Sequence, residues 1–361
     1  MISGGGTGGH IFPALAIAEA FRNLSEVEFL FVGALGRMEM EKVPAAGYPI
    51  EGLWISGFQR KNLWRNISLP FKIISSLRKA RKLIRSFSPG LVVGTGGYAS
   101  GPLLKVASGM GIPTLIQEQN SFPGITNKLL AKKVNAICVA YPGMEQFFPK
   151  GKIIFTGNPV RADLVKPGIS REEARNFFSL SKDQPLILVT GGSLGAYSLN
   201  KFMVENSPAL QDAGIQAIWQ TGRNFKNSFP GYSDPFPRIR RMEFVERMDL
   251  AYAAADIVVC RAGALTISEI SVTRKPAVLV PSPYVAEDHQ TKNANALVKN
   301  KAAWMVRENE VSSLLLGKVL ELCRAENIQN EMKQALADFA RPQAAKEIAD
   351  IGMKLYNEKW K

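Results

Sequence analysis

Short apolar runs alternate along the chain with longer segments in which apolar residues recur at helical spacing. Runs of this length, bounded by glycine, proline and polar residues, predict strands. They lie at residues 1–3, 28–33, 91–93, 114–116, 136–140, 186–190, 217–220, 257–260 and 277–281. Strands that alternate with helices predict parallel sheets covered by helices, so the fold class is α/β. The alternation begins afresh near residue 186, which predicts two doubly wound domains.

A glycine-rich segment follows the first predicted strand. Residues 4–10 read Gly-Gly-Gly-Thr-Gly-Gly-His, and an amphipathic helical pattern begins at Ile11. Glycines at a helix N-terminus let the backbone approach an anion closely, and the helix dipole favours negative charge there. The alternative is a tight turn, but five glycines in seven residues exceed what a turn requires. We therefore predict a phosphate-binding loop.

Similar glycine-containing segments follow later strands, at residues 94–101, 191–196 and 261–269. In doubly wound sheets, ligands bind beyond the carboxyl ends of the strands, where these segments fall. A nicotinamide dinucleotide site is disfavoured for two reasons. The glycine spacing is not GxGxxG, and Ala34 and Leu35 stand where an acidic residue should follow the second strand.

Length and composition describe a globular protein of two domains. The chain has 361 residues, of which 46% are apolar and 21% charged. No apolar run approaches the ~20 residues needed to span a bilayer, and the N-terminal segment is not typical of a signal peptide. We therefore expect an intracellular protein. The widely spaced Cys138, Cys260 and Cys323 form no CxxC pair, which favours buried thiols over disulfides or a zinc site.

The net charge of +14 is concentrated in the first half of the chain. Residues 1–160 carry 18 Lys and Arg against 8 Glu and no Asp, whereas the remainder carries 27 against 23 acidic residues. This asymmetry indicates an anionic partner: nucleic acid, a phosphorylated substrate or a membrane surface.

Nine of these cations occur between Arg60 and Arg85, where there is no acidic residue. Apolar residues are interleaved with them, among them Ile67, Phe71, Ile74 and Leu77. An apolar stripe flanked by cations is typical of a helix that lies on anionic lipid. The alternative is a helix whose apolar stripe faces the core and whose basic side is solvated. We predict a peripheral membrane patch.

Seven motifs, taken in order, resemble those of the MurG family, the UDP-N-acetylglucosamine transferases that convert lipid I to lipid II in bacterial peptidoglycan synthesis. They cover nearly the whole chain and occur at residues 5–10, 96–102, 118–120, 157–161, 191–196, 263–269 and 288–290. A single glycine loop would be weak evidence, whereas the ordered set is specific. Leu194 and Ala262 depart from the family, which commonly has glutamine and serine at these positions. Leu194 therefore excludes a polar side-chain contact to phosphate from its position.

The resemblance implies a GT-B architecture, in which two Rossmann-like domains face each other across a cleft. Residues 1–158 would form an acceptor-binding and membrane-associating domain, and residues 159–339 a UDP-GlcNAc-binding domain. The last helix, residues 340–361, would return to the first domain. The implied reaction is an inverting transfer without cofactor or tightly bound metal, at the cytoplasmic face of the inner membrane. The implied partners are UDP-GlcNAc, lipid I, the anionic membrane surface and other cell-wall synthesis proteins, with no nucleic acid.

The resemblance also implies a set of donor-binding residues. Those of the second domain are Ser193, Val245, Ala264, Leu265, Thr266, Ile267, Ser268, Glu269 and Gln290, and the remainder are Thr7, Gly8, Gly9, Asn120 and Arg161. Ser193 and the start of the helix at Ala264 offer N–H and hydroxyl groups to the diphosphate. Glu269 would accept from the ribose hydroxyls, and the Val245 backbone would contact uracil. For Ser193 the alternative is a helix N-cap, and for Glu269 a solvated helix residue.

The acceptor pyrophosphate would lie on Gly6, Gly97, Tyr98 and Ser100. The C4 hydroxyl of the N-acetylmuramyl sugar loses its proton as it attacks, so a general base is required, and His10 is the candidate. The alternative is that His10 binds phosphate or closes the loop. Glu118 is a second candidate for the base.

Three other functions remain open at this point. A GT-B transferase or epimerase with a soluble substrate would share the donor residues, and a sugar-nucleotide sensor would retain Ser193 and Glu269 while tolerating loss of His10. A basic nucleic-acid-binding protein is disfavoured because the basic segment lacks aromatic residues paired on a sheet.

Overall fold

The computed structural model describes residues 1–57, 66–165, 168–233, 236–285 and 288–360. The chain forms two units. Residues 1–162 together with 341–361 make the first, and residues 163–340 make the second. The sequence placed these boundaries after residues 158 and 339.

The first unit is built on a seven-stranded parallel sheet. Its strands are β1 (Ile2–Gly4), β2 (Phe31–Ala34), β3 (Ile50–Leu53), β4 (Val92–Gly96), β5 (Thr114–Glu118), β6 (Ala136–Val139) and β7 (Ile153–Phe155). Its helices are α1 (Gly8–Leu24), α2 (Glu39–Ala45), α3 (Leu69–Phe87), α4 (Ser100–Gly109), α5 (Ile125–Leu130) and, at the end of the chain, α14 (Ala344–Trp360). The strand order is β3-β2-β1-β4-β5-β6-β7. This order reverses between β1 and β4, where the first two glycine loops lie.

Helices cover both faces of this sheet. Helix α14 packs against α1, and Ile348 and Ala349 share a core with Ile11 and Ile17. Helices α3 and α4 contribute Ala80, Ile84, Leu103 and Leu104 to a second core. The buried central strands carry apolar side chains in near-continuous runs, as expected for a sheet covered on both faces.

The second unit contains a six-stranded parallel sheet. Its strands are β8 (Leu186–Thr190), β9 (Gln216–Gln220), β10 (Ile239–Met242), β11 (Ile257–Cys260), β12 (Ala277–Leu279) and β13 (Trp304–Met305). Its helices are α6 (Arg171–Phe177), α7 (Tyr197–Asp212), α8 (Phe225–Ser228), α9 (Met248–Ala254), α10 (Ala264–Val272), α11 (His289–Lys299), α12 (Val311–Arg324) and α13 (Glu326–Phe339). The order β10-β9-β8-β11-β12-β13 is that of a Rossmann sheet. The predicted α/β class and the two doubly wound domains are confirmed.

The three thiols behave as structural groups. Cys138 and Cys260 are buried and Cys323 is half-buried, and all three are free. Burial raises the pKa of each thiol to about 12, so each remains protonated near neutral pH. Within the described ranges, no helix is long and apolar enough to cross a membrane.

Candidate active site

The first glycine loop connects β1 to α1 and carries His10 in the first turn of the helix. Thr7 is the N-cap, and its carbonyl accepts the N–H groups of His10 and Ile11 at 3.1 and 3.2 Å. Gly8 and Gly9 begin the helix, so their N–H groups have no acceptor within it. His10 is partly exposed, and its Nδ1 lies 3.0 Å from the Gly5 carbonyl oxygen.

A buried carboxylate that the sequence analysis missed lies beneath this loop. Glu39, in the first turn of α2, is fully buried. Its Oε2 accepts the Gly6 N–H at 2.8 Å, and its Oε1 accepts the Ala34 N–H at 2.9 Å. The Gly6 amide is therefore paired within the unit. A pyrophosphate at Gly6, as predicted, would therefore have to be bound by groups other than the Gly6 N–H.

The second glycine loop, which connects β4 to α4, packs directly on the first. A Cβ at Gly97 would lie 2.3 Å from the Gly5 carbonyl oxygen, and one at Gly96 would lie 3.0 Å from His10 Nε2. Gly96 and Gly97 have φ values of +100° and +86°, which other residues rarely adopt. The two loops thus form one surface, with the His10 ring against Gly96.

The next residues of this loop have different surroundings. Tyr98 is 46% exposed, so its side chain is accessible to a ligand. Ser100 is fully buried, and its hydroxyl lies 2.8 Å from the carbonyl oxygens of Ser3 and Gly96. The predicted contact of Ser100 with pyrophosphate would therefore have to come from its backbone, because its side chain is buried. The Ser100 hydroxyl instead lies between β1 and the second loop.

Glu118, at the end of β5, organises the loop that follows it. Its Oε1 accepts from the backbone and side-chain amides of Asn120 at 3.0 and 3.3 Å, and its Oε2 accepts from Gly124 at 3.1 Å and from Asn127 at 2.8 Å. The Glu118 carboxylate is 2% exposed and its two oxygens already accept four hydrogen bonds, so it is poorly placed to contact a substrate hydroxyl. These contacts favour His10 over Glu118 as the base. They make Glu118 the residue that orients Asn120.

Arg161 belongs to the first unit, although the predicted boundary assigned it to the second. Its guanidinium carbon lies 5.8 Å from the ring centroid of Phe12, two residues after His10. The cation therefore lies close to the first turn of α1.

In the second unit, the loop between β8 and α7 packs closely against the turn that follows β9. A Cβ at Gly195 would lie 2.1 Å from the Thr221 carbonyl oxygen, and the Ser193 carbonyl accepts from the Arg223 N–H at 3.2 Å. The N-cap of α7 is Ala196, so the alternative interpretation of Ser193 as an N-cap is wrong. Ser193 lies in the turn, partly exposed, at the carboxyl edge of the sheet.

Helix α10 begins at Ala264, directly after β11. The N–H groups of Leu265 and Thr266 lie in its first turn, where they have no acceptor within the helix. The side chain of Ile267 is in the core, and the Ser268 hydroxyl donates to the Ala264 carbonyl at 3.0 Å. A donor contact from Ile267 would therefore have to come from its backbone.

Glu269, on the next turn of α10, is oriented by a tyrosine that the sequence analysis did not identify. The hydroxyl of Tyr252, a residue of α9 that is 1% exposed, donates to Glu269 Oε2 at 3.0 Å. Glu269 itself is partly exposed. The carboxylate is thus held in one orientation while remaining accessible at the carboxyl edge of the sheet.

Two further donor residues have paired groups. The Val245 N–H donates to Gln220 Oε1 at 2.9 Å. The predicted backbone contact with uracil would therefore be made by the Val245 carbonyl. Gln290, in the first turn of α11, accepts the Ser282 N–H through Oε1 at 2.8 Å, which orients its side-chain amide. Among the residues that the structure describes, no group of three or more His, Cys, Asp or Glu side chains is arranged to hold a metal ion.

Helix α3 exposes the apolar side chains of the predicted membrane patch. Ile67, just before the helix, is 62% exposed, Phe71 68% and Ile74 48%, while Leu77 is half-buried. The buried residues of α3 are Ser76, Ala80 and Ile84, so the alternative that the stripe faces the core is wrong for Phe71 and Ile74. A groove on the same helix is lined by Arg78, Arg81, Lys82 and Arg85. Three of the nine cations of the predicted segment, Arg60, Lys61 and Arg65, lie outside the described residues.

Comparisons with known proteins find matches to both units. Residues 1–139 match the glycosyltransferase family 28 N-terminal domain, and residues 186–348 match the C-terminal domain of that family. A relative in Cytophaga hutchinsonii is 51% identical, over 99% of this chain and 96% of its own length. One in Phocaeicola vulgatus is also 51% identical, over 98% of this chain and 96% of its own length. Both are named UDP-N-acetylglucosamine–N-acetylmuramyl-(pentapeptide) pyrophosphoryl-undecaprenol N-acetylglucosamine transferase.

Solved structures show the same similarity. The crystal structure of Acinetobacter baumannii MurG has a TM-score of 0.72 and 29% identity, and the match covers 98% of each chain. The calicheamicin glycosyltransferase CalG4 has a TM-score of 0.69 at 15% identity, covering 100% of this chain and 98% of its own, which supports the fold alone.

Proposed function

This chain belongs to glycosyltransferase family 28. We propose that it transfers N-acetylglucosamine from UDP-GlcNAc to the C4 hydroxyl of the N-acetylmuramyl sugar of lipid I. The product would be lipid II, the precursor of peptidoglycan. The observation that carries this proposal is the near-complete match, through both units, to relatives named for that reaction.

The proposed chemistry assigns one task to each unit. In the first unit, His10 takes the proton of the acceptor hydroxyl as its oxygen attacks the anomeric carbon. In the second, Ser193 and the first turn of α10 receive the diphosphate, because their N–H and hydroxyl groups stabilise the charge that develops on departing UDP. Glu269 accepts hydrogen bonds from the ribose. Leu265, Thr266 and Glu269 lie on a single helix, which fixes the spacing between diphosphate and ribose contacts.

Release of UDP tests this function directly. We expect the protein to release UDP from UDP-GlcNAc only when a polyprenyl-pyrophosphoryl N-acetylmuramyl peptide is present, because departure of UDP requires attack by the acceptor hydroxyl. The measurement is UDP formed with and without a lipid I analogue, with mass spectrometry of the disaccharide product. A parallel reaction with a chelator tests the proposal that no tightly bound metal is required.

Two results would contradict this assignment. Equal UDP release with a soluble sugar acceptor would make the protein a transferase of another acceptor class. Conversion of UDP-GlcNAc to an isomeric nucleotide sugar without UDP release would make it an epimerase. UDP-N-acetylglucosamine 2-epimerases share this fold, with a TM-score of 0.66 at 14% identity for one solved structure.

We also propose that α3 holds the protein on the anionic cytoplasmic surface of the inner membrane, where the lipid-linked acceptor is found. Exposed Ile67, Phe71 and Ile74 would enter the interface, and the groove of cations would lie beside lipid phosphates. Contacts with other cell-wall synthesis proteins belong to the same proposal, whereas nucleic acid is not a proposed partner.

Binding to vesicles tests the membrane patch. We expect the double variant Phe71→Asp, Ile74→Asp to bind vesicles of mixed anionic and neutral phospholipid about tenfold or more weakly, since each lost apolar side chain removes about 1.5–3 kcal/mol of burial. The control is Val27→Asp, Leu314→Asp, which makes the same charge change at exposed apolar positions elsewhere. Flotation of vesicles measures binding, and thermal unfolding checks that both variants fold. Equal binding of the two variants would place the membrane contact elsewhere.

A further inference from the structure

The peptide group between Gly5 and Gly6 is held by a hydrogen bond at each end. Its N–H, on Gly6, donates to Glu39 Oε2 at 2.8 Å. Its carbonyl, on Gly5, lies 3.0 Å from His10 Nδ1. The buried carboxylate, the peptide and the imidazole thus form a continuous chain of hydrogen bonds.

The chemistry of this chain determines the state of the imidazole. A carbonyl oxygen only accepts hydrogen bonds, so Nδ1 of His10 must carry the proton. In the neutral ring, Nε2 then has the free lone pair. Nε2 lies beside Gly96, where the Cβ of any other residue would come within 3.0 Å of it. Nε2 is therefore the atom able to take a proton from a substrate hydroxyl.

The neighbouring residues accommodate the carboxylate in this position. A Cβ at Gly5 would lie 2.1 Å from Glu39 Oε1, and one at Gly33 would lie 2.5 Å from Glu39 Cγ. The second contact, from the Ala34 N–H to Oε1 at 2.9 Å, anchors the carboxylate to the end of β2. Glu39 is fully buried, and in such surroundings hydrogen bonds are electrostatically stronger than in water and polarise one another.

We propose that Glu39 is a positioning residue for His10, acting through the Gly5–Gly6 peptide. The carboxylate polarises the peptide, which makes the Gly5 carbonyl a better acceptor for Nδ1–H. This arrangement holds the ring in the tautomer whose Nε2 can act as the base, and it stabilises the imidazolium formed when Nε2 accepts the proton. Nδ1 keeps its own proton, and Glu39 gains none. The inference rests on the proposed function only for the role of His10 as base.

Nitrogen NMR of histidine tests the tautomer without any assay of turnover. The chain has two histidines, His10 and His289, so a ¹⁵N-histidine-labelled protein gives four ring signals, and His10→Ala identifies its own pair by their loss. We expect neutral His10 in the unmodified protein to be protonated at Nδ1. In Glu39→Gln the fraction of that tautomer should fall, because Gln offers one acceptor oxygen where Gly6 and Ala34 present two N–H groups.

Kinetics then test the link to turnover. We expect Glu39→Gln to lower kcat about tenfold or more while the Kd for UDP changes little, because the proposed diphosphate and ribose contacts of Ser193 and Glu269 belong to the other unit. Glu41→Gln, an exposed position on the same helix, is the matched control and should retain its kcat. In a His10→Ala background, Glu39→Gln should cause no further loss, since the carboxylate acts through the histidine.

Each outcome decides a different point. Neutral His10 protonated at Nε2 in the unmodified protein would overturn the proposal even if Glu39→Gln failed to fold. An equal loss of kcat from Glu39→Gln with and without His10 would reduce Glu39 to a structural residue. Absence of UDP release with the lipid I analogue would refute the proposed function while leaving the tautomer measurement valid.

Discussion

We expect His10→Ala to lower turnover with a lipid I analogue by about 10²- to 10⁴-fold, the range typical for removal of a general base. Of the two candidates for the general base, the structure favours His10. His10 is partly exposed beside the two packed glycine loops, whereas the other candidate, Glu118, is buried and its carboxylate accepts four hydrogen bonds. Affinity for UDP should be unchanged, because the proposed diphosphate and ribose contacts lie on α10 and the loop before α7 of the second unit. Steady-state UDP release and calorimetric UDP binding provide the two measurements.

His10→Asn is the matched control, since it separates the base from the hydrogen bond within the loop. The asparagine side-chain amide can occupy the place of Nδ1 and donate to the Gly5 carbonyl, but it cannot take a proton. We therefore expect it to be as slow as His10→Ala. If His10→Asn restored most of the turnover, the histidine would serve to hold the loop, and the base would have to be sought elsewhere.

The central strands could be predicted from the sequence because they are buried on both faces. Every residue of β1, β2, β4, β5, β6, β8, β9, β11 and β12 is buried, and each of these strands was predicted from an apolar run. The four strands that the pattern did not reveal, β3, β7, β10 and β13, are the edge strands of the two sheets. Most of their residues are half-buried or exposed, so their side chains need not form a continuous apolar run. Because an edge strand is less buried, its sequence shows no continuous apolar run from which it could be predicted.

The glycine loops could be predicted for a related reason, whereas the residues that pair with their backbone could not. Gly96 and Gly97 are required by positive φ and by contact with the first loop, and glycine is recognisable wherever it stands. Glu39 is an ordinary helix glutamate in sequence. Its only signal is an acidic residue five positions after β2, four positions beyond Leu35. Its burial beneath Gly6 depends on the three-dimensional arrangement of β1, β2 and α2.

The same limit applies to the donor residues. The segment 263–269 indicated a helix N-terminus and a carboxylate one turn later, and α10 has both. That Val245 uses its N–H on Gln220, and that Tyr252 holds Glu269, depends on contacts between strands and helices far apart in sequence. Motifs therefore predicted which segments form the carboxyl edge, and the structure determines which polar groups there remain available to a ligand.

We expect Glu269→Ala to raise the KM for UDP-GlcNAc and the Kd for UDP about 10- to 100-fold, because hydrogen bonds to a charged group contribute about 1.5–3 kcal/mol each. Turnover at saturating donor should change much less, since the ribose is remote from the reacting carbon and its contacts are equal in the ground and transition states. Tyr252→Phe, which removes a single hydroxyl, should produce a smaller loss in the same direction. Thermal unfolding of both variants verifies that the second unit is folded.

Comparing the binding of UDP with that of its deoxy analogues tests the ribose contact of Glu269 more directly than KM does. In the unmodified protein, UDP should bind more tightly than its 2′-deoxy and 3′-deoxy analogues, because the missing hydroxyl leaves Glu269 without its partner. In Glu269→Ala that preference should disappear, and in Tyr252→Phe it should shrink, since the carboxylate is no longer held at 3.0 Å by the tyrosine hydroxyl. A preference for UDP that survives in Glu269→Ala would assign the ribose to another residue and make the Tyr252–Glu269 pair a structural contact between α9 and α10.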